Sequence, residues 1–486
     1  MNNQNQLNSN YSRRRFLAQA TASTLAAGVT MTGLVSPATA PWGPNAAAAQ
    51  ASSSERSLVC LFLAGGADTF NMFVPANFAQ PGSTYDVYGA TRGDIAVPRS
   101  SLLGVGNGDF GFHPNLTAFR DLFDQGAMTV VSNVGPLARP TSPADVLAAR
   151  NIPQSLFAHD AQQRLWQTAS ATVGGTSGGW GGGIASAVAG NNGGALVPPG
   201  ISIAGSSVWE SVQSQPYLRL HPTSVIQRLG GYDATTRGWV PTLQRDGVAA
   251  ALEEALAGAT ASPRLLEQQV ARSLRSSVLT TEQLESVTAP TAANEVAMGG
   301  YGANRLASQL HLVARLIKAR AELNMSHQVF FVQMGGWDTH SNQNERLPVL
   351  LSELNEAVAQ FSFAVGPEGL DVANSVTAFT ATDFGRTLTS NGNGTDHGWG
   401  GHSFIFGGGV AGGNVVGDIP NFGTSNNPDD ASSTRGFTGR IIPTTSVGQY
   451  GATIARWMGV DEETLPGIFP DIVNFASTDL GLFADP

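Results

Sequence analysis

Leu58-Val59-Cys60-Leu61-Phe62-Leu63 is a short apolar run that ends at Ala64-Gly65-Gly66-Ala67-Asp68. A run of this length bounded by glycine predicts a buried strand followed by a turn, and its continuous hydrophobicity is typical of a strand covered on both faces. Cys60 lies inside the run, so we interpret it as a buried strand residue and not as a nucleophile. It is the only cysteine of the chain, which excludes an intrachain disulfide.

Two further segments continue this pattern in the N-terminal half. Leu116 to Phe123 shows helical spacing, and Ala127 to Ser132 is another short apolar run that ends in polar residues. Together with the strand at 58–63 they form a strand, helix, strand alternation. This alternation predicts parallel pairing of the two strands.

The C-terminal half shows the same alternation more clearly. A helical stripe from Leu306 to Ile317 precedes the strand Val329-Phe330-Phe331-Val332, and a second helix from Leu347 to Phe361 precedes a strand at Val376 to Thr382. A right-handed crossover is expected to place these two strands side by side and parallel. The chain is therefore predicted to have an α/β fold, a doubly wound and mainly parallel sheet with helices on both faces.

The first 50 residues have the pattern of an export signal. Ser12-Arg13-Arg14-Arg15-Phe16-Leu17 is followed by an uncharged, moderately apolar stretch from Ala18 to Ala40. This arrangement is typical of a twin-arginine signal peptide, so we predict the twin-arginine translocase as an export partner and a periplasmic or secreted location. A membrane-spanning anchor is the alternative, but Pro37 and Pro41 interrupt the stretch, and no stable membrane anchor is predicted.

Length and charge limit the organisation of the chain and its partners. Residues 51–486 are predicted to form a single domain, in which 190–300 is an insertion or cap made of helices and loops. The net charge is −10, and only 13% of the residues are charged. Such a composition offers no basic stripe, so no nucleic-acid partner is predicted.

Polar side chains follow three of the predicted strands. Asp68 follows the first strand, Asp338 and His340 follow the next to last, and Asp383 follows the last. Parallel strands bring their carboxyl ends to one edge of a sheet, which is where ligands bind in open α/β sheets. Carboxylates brought together repel unless protons or a cation neutralise them, and carboxylate with imidazole is a ligand set for divalent metals. We therefore predict a divalent metal at this edge, either zinc, manganese or calcium.

A fourth segment, Asp396-His397-Gly398-Trp399-Gly400-Gly401-His402, places two histidines and a carboxylate within seven residues. We include Asp396, His397 and His402 among the predicted metal ligands, with Asp396 as either a ligand or a group that orients a histidine. The alternative for any single member is structural. Aspartate after a strand often caps a turn or a helix, and a lone histidine is often a satisfied core group.

His159 and Arg386 are further candidates. His159 follows the predicted strand at 127–132 by a long loop and could reach the same edge of the sheet. Arg386 lies three residues after Asp383, and its guanidinium can hold two oxygens of a phosphate or sulfate group at once. A surface salt bridge is the alternative for Arg386.

These motifs resemble the exported bacterial family known as domain of unknown function 1501. The residues that carry the resemblance are Leu61-Phe62-Leu63-Ala64-Gly65-Gly66-Ala67-Asp68, Gly336-Trp337-Asp338-Thr339-His340, and Thr382-Asp383-Phe384-Gly385-Arg386-Thr387 with Asp396-His397-Gly398. The resemblance covers essentially the whole chain after the signal. That family in turn resembles a distant branch of the alkaline phosphatase and sulfatase superfamily, which implies an alkaline-phosphatase-like sheet that carries metals at the carboxyl ends of its strands.

The resemblance to the superfamily implies a set of metal ligands. The positions that match its ligands are Asp68, Asp338, His340 and Asp383. The sequence departs from the superfamily at Phe384, where a metal-binding histidine is expected, and His397 or His402 is the replacement.

The hydroxyl nucleophile of the superfamily has no clear counterpart here. Relatives in the uncharacterised family often read Phe-Ser-His where this chain has Phe157-Ala158-His159, and alanine has no hydroxyl. Thr69 and Ser155 are substitutes by proximity. Our candidate catalytic residues are Thr69, His159 and Arg386.

The sequence therefore predicts an exported, metal-dependent hydrolase for a phosphate or sulfate ester, carried by an anionic small molecule or a glycan. The alternative is a non-catalytic binding or assembly protein that keeps a structural metal centre. Ala158 and Phe384 favour that alternative, whereas the clustered aspartates and histidines favour the enzyme.

Overall fold

The described part of this computed structural model comprises residues 55–171, 178–212, 216–222, 232–233, 238–239, 265–289, 291–298, 304–431 and 439–484. The predicted signal peptide at 1–50 lies outside these residues, and so does a large part of the predicted insertion at 190–300. Within the described residues, no helix combines the length and the apolar character that a bilayer span requires.

Strands and helices alternate along the chain. The strands are β1 (Arg56–Leu63), β2 (Phe73–Pro75), β3 (Leu103–Val105), β4 (Phe110–Phe112), β5 (Met128–Gly135), β6 (Gly200–Ser202), β7 (Leu218–Arg219), β8 (Tyr232–Asp233), β9 (Gly238–Trp239), β10 (His327–Met334), β11 (Val376–Thr382), β12 (Arg386–Ser390), β13 (Thr395–His397), β14 (Gly401–Gly407), β15 (Asn414–Val416) and β16 (Thr445–Ser446). The helices are α1 (Tyr85–Arg92), α2 (Thr117–Asp124), α3 (Pro143–Leu147), α4 (His159–Thr168), α5 (Trp180–Val188), α6 (Leu265–Thr288), α7 (Arg305–Lys318), α8 (Gln343–Val365), α9 (Val447–Trp457) and α10 (Leu465–Ile468).

A mixed, mostly parallel sheet of nine strands forms the centre of the fold, in the order β15-β5-β14-β11-β1-β10-β6-β7, with β16 paired to β5. Strand β1 is parallel to both of its neighbours, with Leu61 opposite Val332 on β10 and opposite Thr380 on β11. Strand β14 runs antiparallel to β11 and to β5. The predicted α/β class and the mainly parallel sheet are therefore confirmed.

Both predicted strand adjacencies are wrong. Strands β10 and β11 do not pair with each other, because β1 lies between them and bonds to both. Strand β5 does not pair with β1 either, since β11 and β14 intervene. The crossover through α8 skips one strand position. Strand β1, apolar from Leu58 to Leu63, fills that position, and neighbouring strands cover both of its edges.

Helices cover both faces of the sheet, as predicted. Along β1 the side chains alternate between two hydrophobic clusters, because successive strand residues point to opposite faces. Val59 and Leu61 belong to the cluster on the side of α7 and α8. Cys60 and Phe62 belong to the cluster on the side of α5 and α9. Cys60 is buried and unpaired, which agrees with its interpretation as a core residue.

One described part of the predicted insertion belongs to the central sheet. Strand β6 pairs in parallel with β10, with Ile201 opposite Phe330, so it is a strand of the central sheet. Helix α6 packs against α7. The N-terminus of α7 is capped by Asn304, whose side chain accepts a hydrogen bond from the amide of Ala307.

Glu210 is a buried carboxyl group, only 1% exposed. Burial raises its pKa well above the ordinary value, so the folded protein keeps a proton that the unfolded chain releases. The free energy of unfolding therefore falls with rising pH, by about 1.4 kcal/mol per pH unit between the unfolded and folded pKa values. We expect Glu210→Gln to stabilise the protein more at about pH 8 than at about pH 4. Thermal unfolding of both forms across this range tests it, and parallel curves would contradict it.

Candidate metal centre

The loops after β1, β10 and β11 meet at one edge of the sheet, since Leu63 lies opposite both Met334 and Thr382 at the ends of the parallel strands. Gly65 allows the first two loops to touch. Its φ angle is +122°, and a Cβ atom on it would lie 2.5 Å from the backbone nitrogen of Asp338. Only glycine adopts such a conformation readily, so this position sets how closely the loops approach.

Asp338 stands at the centre of the polar cluster at this edge. Its Oδ1 atom lies 3.1 Å from Nε2 of His340 and 3.3 Å from Nε2 of His397. Its Oδ2 atom lies 3.5 Å from Nε2 of His159. The structure thus brings together three predicted ligands and adds His159, which the sequence placed among the catalytic residues.

Each of the three imidazole rings is held through its other nitrogen. Nδ1 of His159 lies 2.7 Å from Oδ2 of Asp383, and Nδ1 of His340 lies 3.0 Å from Oδ1 of Asp396. Nδ1 of His397 lies 2.6 Å from the carbonyl oxygen of Phe157. Carboxylate and carbonyl oxygens only accept hydrogen bonds, so each Nδ1 carries a proton, and in the neutral form of each ring Nε2 is the nitrogen that holds a lone pair.

These lone pairs face one another across a short distance. Nε2 of His340 lies 2.8 Å from Nε2 of His397, and both face the ionised Asp338. Ligand atoms around a tetrahedral zinc ion stand about 3.3 Å apart, as follows from bonds of about 2.0 Å. His159, Asp338 and His397 also offer ligand atoms within 4.8 Å of one another, a triad that can hold a metal ion. The donor set therefore fits a divalent cation.

Burial and neighbouring charges favour the protonation states of Asp338 and His397 that bind a cation. Burial raises the pKa of Asp338, but the hydrogen bond and charge of Arg386 and the neighbouring histidines outweigh it, so the pKa lies below the ordinary value. Burial lowers the pKa of His397 despite its bond to Phe157. At neutral pH the carboxylate is ionised and this imidazole is neutral, which are the forms that bind metals.

Asp383 and Asp396 lie behind the imidazole rings. Asp383 is fully buried, and its carboxylate accepts hydrogen bonds from the amide of Gly65 and from Nε2 of Gln163, at 3.1 and 2.9 Å. Asp396 accepts a bond from the Asn391 side chain at 3.0 Å. Of the two roles predicted for Asp396, orientation of a histidine is the one that these contacts support. Asp383, predicted as a ligand, has the same kind of contact.

The segment before α4 is strained where it meets His397. Ser155 and Phe157 have φ angles of 49° and 78°, values that side chains other than glycine rarely adopt. The guanidinium of Arg440 lies 4.2 Å from the centre of the Phe157 ring, and its Nε donates to the carbonyl of His397 at 3.0 Å. The strained turn directs the Phe157 carbonyl at the histidine, and strain of this kind concentrates at functional sites.

Phe384 forms one wall of the cluster. It is 1% exposed, and its ring centre lies 4.9 Å from that of His159 and 4.5 Å from that of His397. The aromatic ring thus packs against two imidazoles at the position where the superfamily is expected to have a ligand. His397, one of the two predicted replacements for that ligand, is one of these imidazoles, and its role as a replacement stays a prediction.

Three other predicted residues are buried, and each contacts groups other than the three imidazoles. Asp68 is 0% exposed, and its Oδ2 pairs with Arg92 and accepts a hydrogen bond from Gln343. The His402 ring meets the ring of Phe70 edge-on at 5.1 Å, and burial lowers the pKa of His402 to about 3. Thr69 is 1% exposed, and its hydroxyl accepts a bond from the amide of His402 at 2.8 Å. Their metal and nucleophile roles remain predictions.

The side chain of Arg386 is buried within the site. Its side chain is 0% exposed, and Nη1 donates to Oδ1 of Asp338 at 2.7 Å. Nε donates to Oγ1 of Thr395 at 3.1 Å, and Nη2 donates to the Thr395 carbonyl. The predicted alternative was a surface salt bridge. Arg386 does form an ion pair, with Asp338, but its side chain is buried, so the alternative is wrong. All three nitrogens of the guanidinium already bond to protein atoms.

Several supporting residues escaped the sequence interpretation. Gln163 bonds the same oxygen of Asp383 as His159, and its position four residues later on α4 is the spacing that could have revealed it. Arg92 lies 24 residues after Asp68 and Gln343 lies 275 residues after it, and neither spacing indicates a contact with that carboxylate.

The family model of proteins of unknown function named DUF1501 matches residues 55–465. The chain belongs to this family. The matched range contains every residue of the cluster, from the glycine turn after β1 to Arg440. No curated protein matches the chain. A similar solved structure is that of Ps i-CgsB in complex with k-i-k-neocarrahexaose, which is 11% identical over 87% of this chain and 77% of that chain, with a TM-score of 0.30.

Proposed function

We propose that this chain is an exported, metal-dependent hydrolase that acts on a phosphate or sulfate ester. The observation that carries the proposal is the convergence of three imidazole lone pairs on the Asp338 carboxylate. His159, His340, His397 and Asp338 would hold the cation, and Asp383 and Asp396 would orient two of the imidazoles. The bound cation would supply Lewis-acid activation of an ester oxygen. Export rests on the arginine motif at residues 12–17.

Arg440 is the arginine that we assign to an anionic substrate, because the guanidinium of Arg386 is already bonded to Asp338 and Thr395. Only Nε of Arg440 is used at the cluster, and its terminal amino groups make no hydrogen bond to another residue that the structure describes. The side chain lies against His397 and Phe157 and is only partly buried. A guanidinium in this place can bind phosphate or sulfate oxygens beside the metal.

A structural metal centre without turnover is the second candidate function. Ala158 at the N-cap of α4 supplies no hydroxyl, and the hydroxyl of Thr69 is buried beneath His402. Hydrolysis would then depend on attack by water, with the protein supplying the positioning of the ester and the cation. Bound metal without turnover on any ester would favour the structural role.

Metal content of the purified chain tests the proposal. The chain would be stripped with a chelator, reloaded separately with zinc, manganese and calcium, and assayed with chromogenic phosphate and sulfate esters. We expect Asp338→Ala and Asp383→Ala to lower metal content, with the exposed Asp86→Ala as the matched control. A wild-type chain that binds none of these metals, and whose thermal stability neither variant changes, would overturn the metal centre.

We expect Arg440→Gln to weaken inhibition by inorganic phosphate or sulfate by about tenfold or more, since one charged hydrogen bond is worth roughly 1.5–3 kcal/mol. KM should rise while metal content stays at the wild-type value. Arg440→Lys, which keeps the charge, should recover part of the loss. Equal inhibition constants for wild type and Arg440→Gln would show that the anion binds elsewhere.

A further inference from the structure

Two buried arginines belong to this edge of the sheet, and each pairs with a carboxylate there. Arg92, the last residue of α1, pairs with Asp68, and both side chains are 0% exposed. Arg386, at the start of β12, pairs with Asp338. Neither arginine faces solvent, so these charges serve the interior of the site.

The two ion pairs belong to one hydrogen-bonded network. Gln343 donates from Nε2 to Oδ2 of Asp68 at 2.5 Å, and its Oε1 accepts from the Thr395 hydroxyl at 2.7 Å. The same hydroxyl accepts from Nε of Arg386 at 3.1 Å. Asp68 and Asp338, both predicted to be metal ligands, are therefore joined through a guanidinium and two neutral side chains.

We infer that the centre takes a single divalent cation, with Arg92 and Arg386 as built-in positive charges in place of a second one. The inference rests on the proposed metal function. A second cation would need Asp68, but Oδ2 of that carboxylate already bonds Arg92 and Gln343, which leaves only Oδ1, without a hydrogen-bond partner among the described residues, beside the Arg92 charge. It would also need Asp338, one oxygen of which already faces Arg386. Positive charge in these places repels a further cation.

The charges around the cluster agree with one divalent ion. The site contains four carboxylates, and two buried guanidinium groups pair with two of them, which leaves two carboxylates whose charge they do not neutralise. Arg440 stands outside this count, because its guanidinium is assigned to the anionic substrate. The carboxylates are Asp68, Asp338, Asp383 and Asp396, and the guanidinium groups are those of Arg92 and Arg386. The two carboxylates left over stand directly behind His159 and His340. In that position they strengthen these imidazoles as ligands and balance the charge of one cation.

The number of zinc ions held by the full chain tests the inference. The chain would be stripped with a chelator, dialysed against zinc, desalted, and measured for zinc and protein. One zinc per chain is the expected ratio. Two per chain would overturn the inference and leave the proposed metal centre standing. A chain that holds no zinc, and no manganese or calcium after separate reloading with each, would overturn the metal centre itself and the inference with it.

Cobalt and two arginine variants give independent readings. With cobalt(II) in place of zinc, we expect the electron paramagnetic resonance spectrum of an isolated ion. A spectrum of two magnetically coupled ions would contradict a single site. Arg386→Gln removes the guanidinium charge, and we expect it to take up zinc beyond one per chain in titration calorimetry. Arg386→Lys keeps the charge and should stay at one, as should the exposed control Arg99→Gln.

A folded Arg386→Gln variant that binds one zinc with wild-type affinity would overturn the role given to the arginine. If this variant does not fold, the zinc ratio and the cobalt spectrum of the wild-type chain still decide between one cation and two.

Discussion

Asp338→Asn is expected to lower the zinc affinity of the chain by more than about 100-fold, the upper end of the loss seen when only a supporting residue is removed. Among the described residues, Asp338 faces all three Nε2 atoms, at 3.1 to 3.5 Å. Asparagine keeps the shape of the side chain but not its charge. The three imidazole lone pairs would then face a neutral amide, which binds zinc poorly.

The fold should survive this change. The amide oxygen of asparagine can still accept the hydrogen bond from Nη1 of Arg386, so the buried guanidinium keeps a partner. Wild type should gain thermal stability when zinc is added, and Asp338→Asn should gain none, because a ligand stabilises only the state that binds it. Calorimetric titration and thermal unfolding with and without zinc measure both effects.

Asp86→Asn is the control for the change of charge, since Asp86 is 88% exposed and pairs with Arg99. It should bind zinc as wild type does. Undiminished zinc binding by Asp338→Asn would mean that the centre is not built on this carboxylate, and the triad would have to be abandoned as the metal site.

The strands and the edge of the sheet were predictable because they depend on local pattern. Strand β1 is a run of apolar residues closed by glycine, and burial of Cys60 follows from its place in that run. Asp338 and Asp383 could be assigned to one edge, since parallel strands end on the same side. Strand order was not predictable in the same way, because no pattern in β10 or β11 indicates that β1 inserts between them.

The roles within the site depend on contacts across large sequence distances. His159 is separated by 224 residues from Asp383, the carboxylate that fixes its proton. The partner of His397 is a backbone carbonyl, at Phe157, and a backbone group leaves no sequence signal at all. The sequence could therefore suggest which residues meet, but not which of them bind and which orient.

Arg386 illustrates the same limit. An arginine three residues after an aspartate at a strand end is compatible with an anion clamp, a surface ion pair or a buried one. Burial decides among them, and burial depends on β13, which pairs with β12 and covers the guanidinium through Thr395. Arg440 lies 54 residues later and meets the cluster through a carbonyl and a phenyl ring, contacts that no charge pattern encodes.

Arg92→Met is expected to have the largest effect on stability, a loss of about 3–5 kcal/mol in the free energy of unfolding. Arg92 and Asp68 are both 0% exposed, so removal of the guanidinium leaves a buried carboxylate without its counter-charge. Oδ1 of Asp68 has no hydrogen-bond partner among the residues that the structure describes, so few other contacts offset the charge of this carboxylate. Arg92 also donates to the carbonyls of Thr387 and Leu388, and those bonds are lost as well.

The double variant Arg92→Met with Asp68→Leu separates loss of charge balance from loss of packing. Replacement of a whole buried ion pair by apolar side chains is often neutral, whereas removal of one partner is not. The double variant should therefore be clearly more stable than Arg92→Met alone, as measured by urea unfolding, with the exposed Arg99→Met as control. If it is no more stable than the single variant, the penalty comes from the lost carbonyl bonds of Arg92, and the uncompensated Asp68 charge is not what destabilises the site.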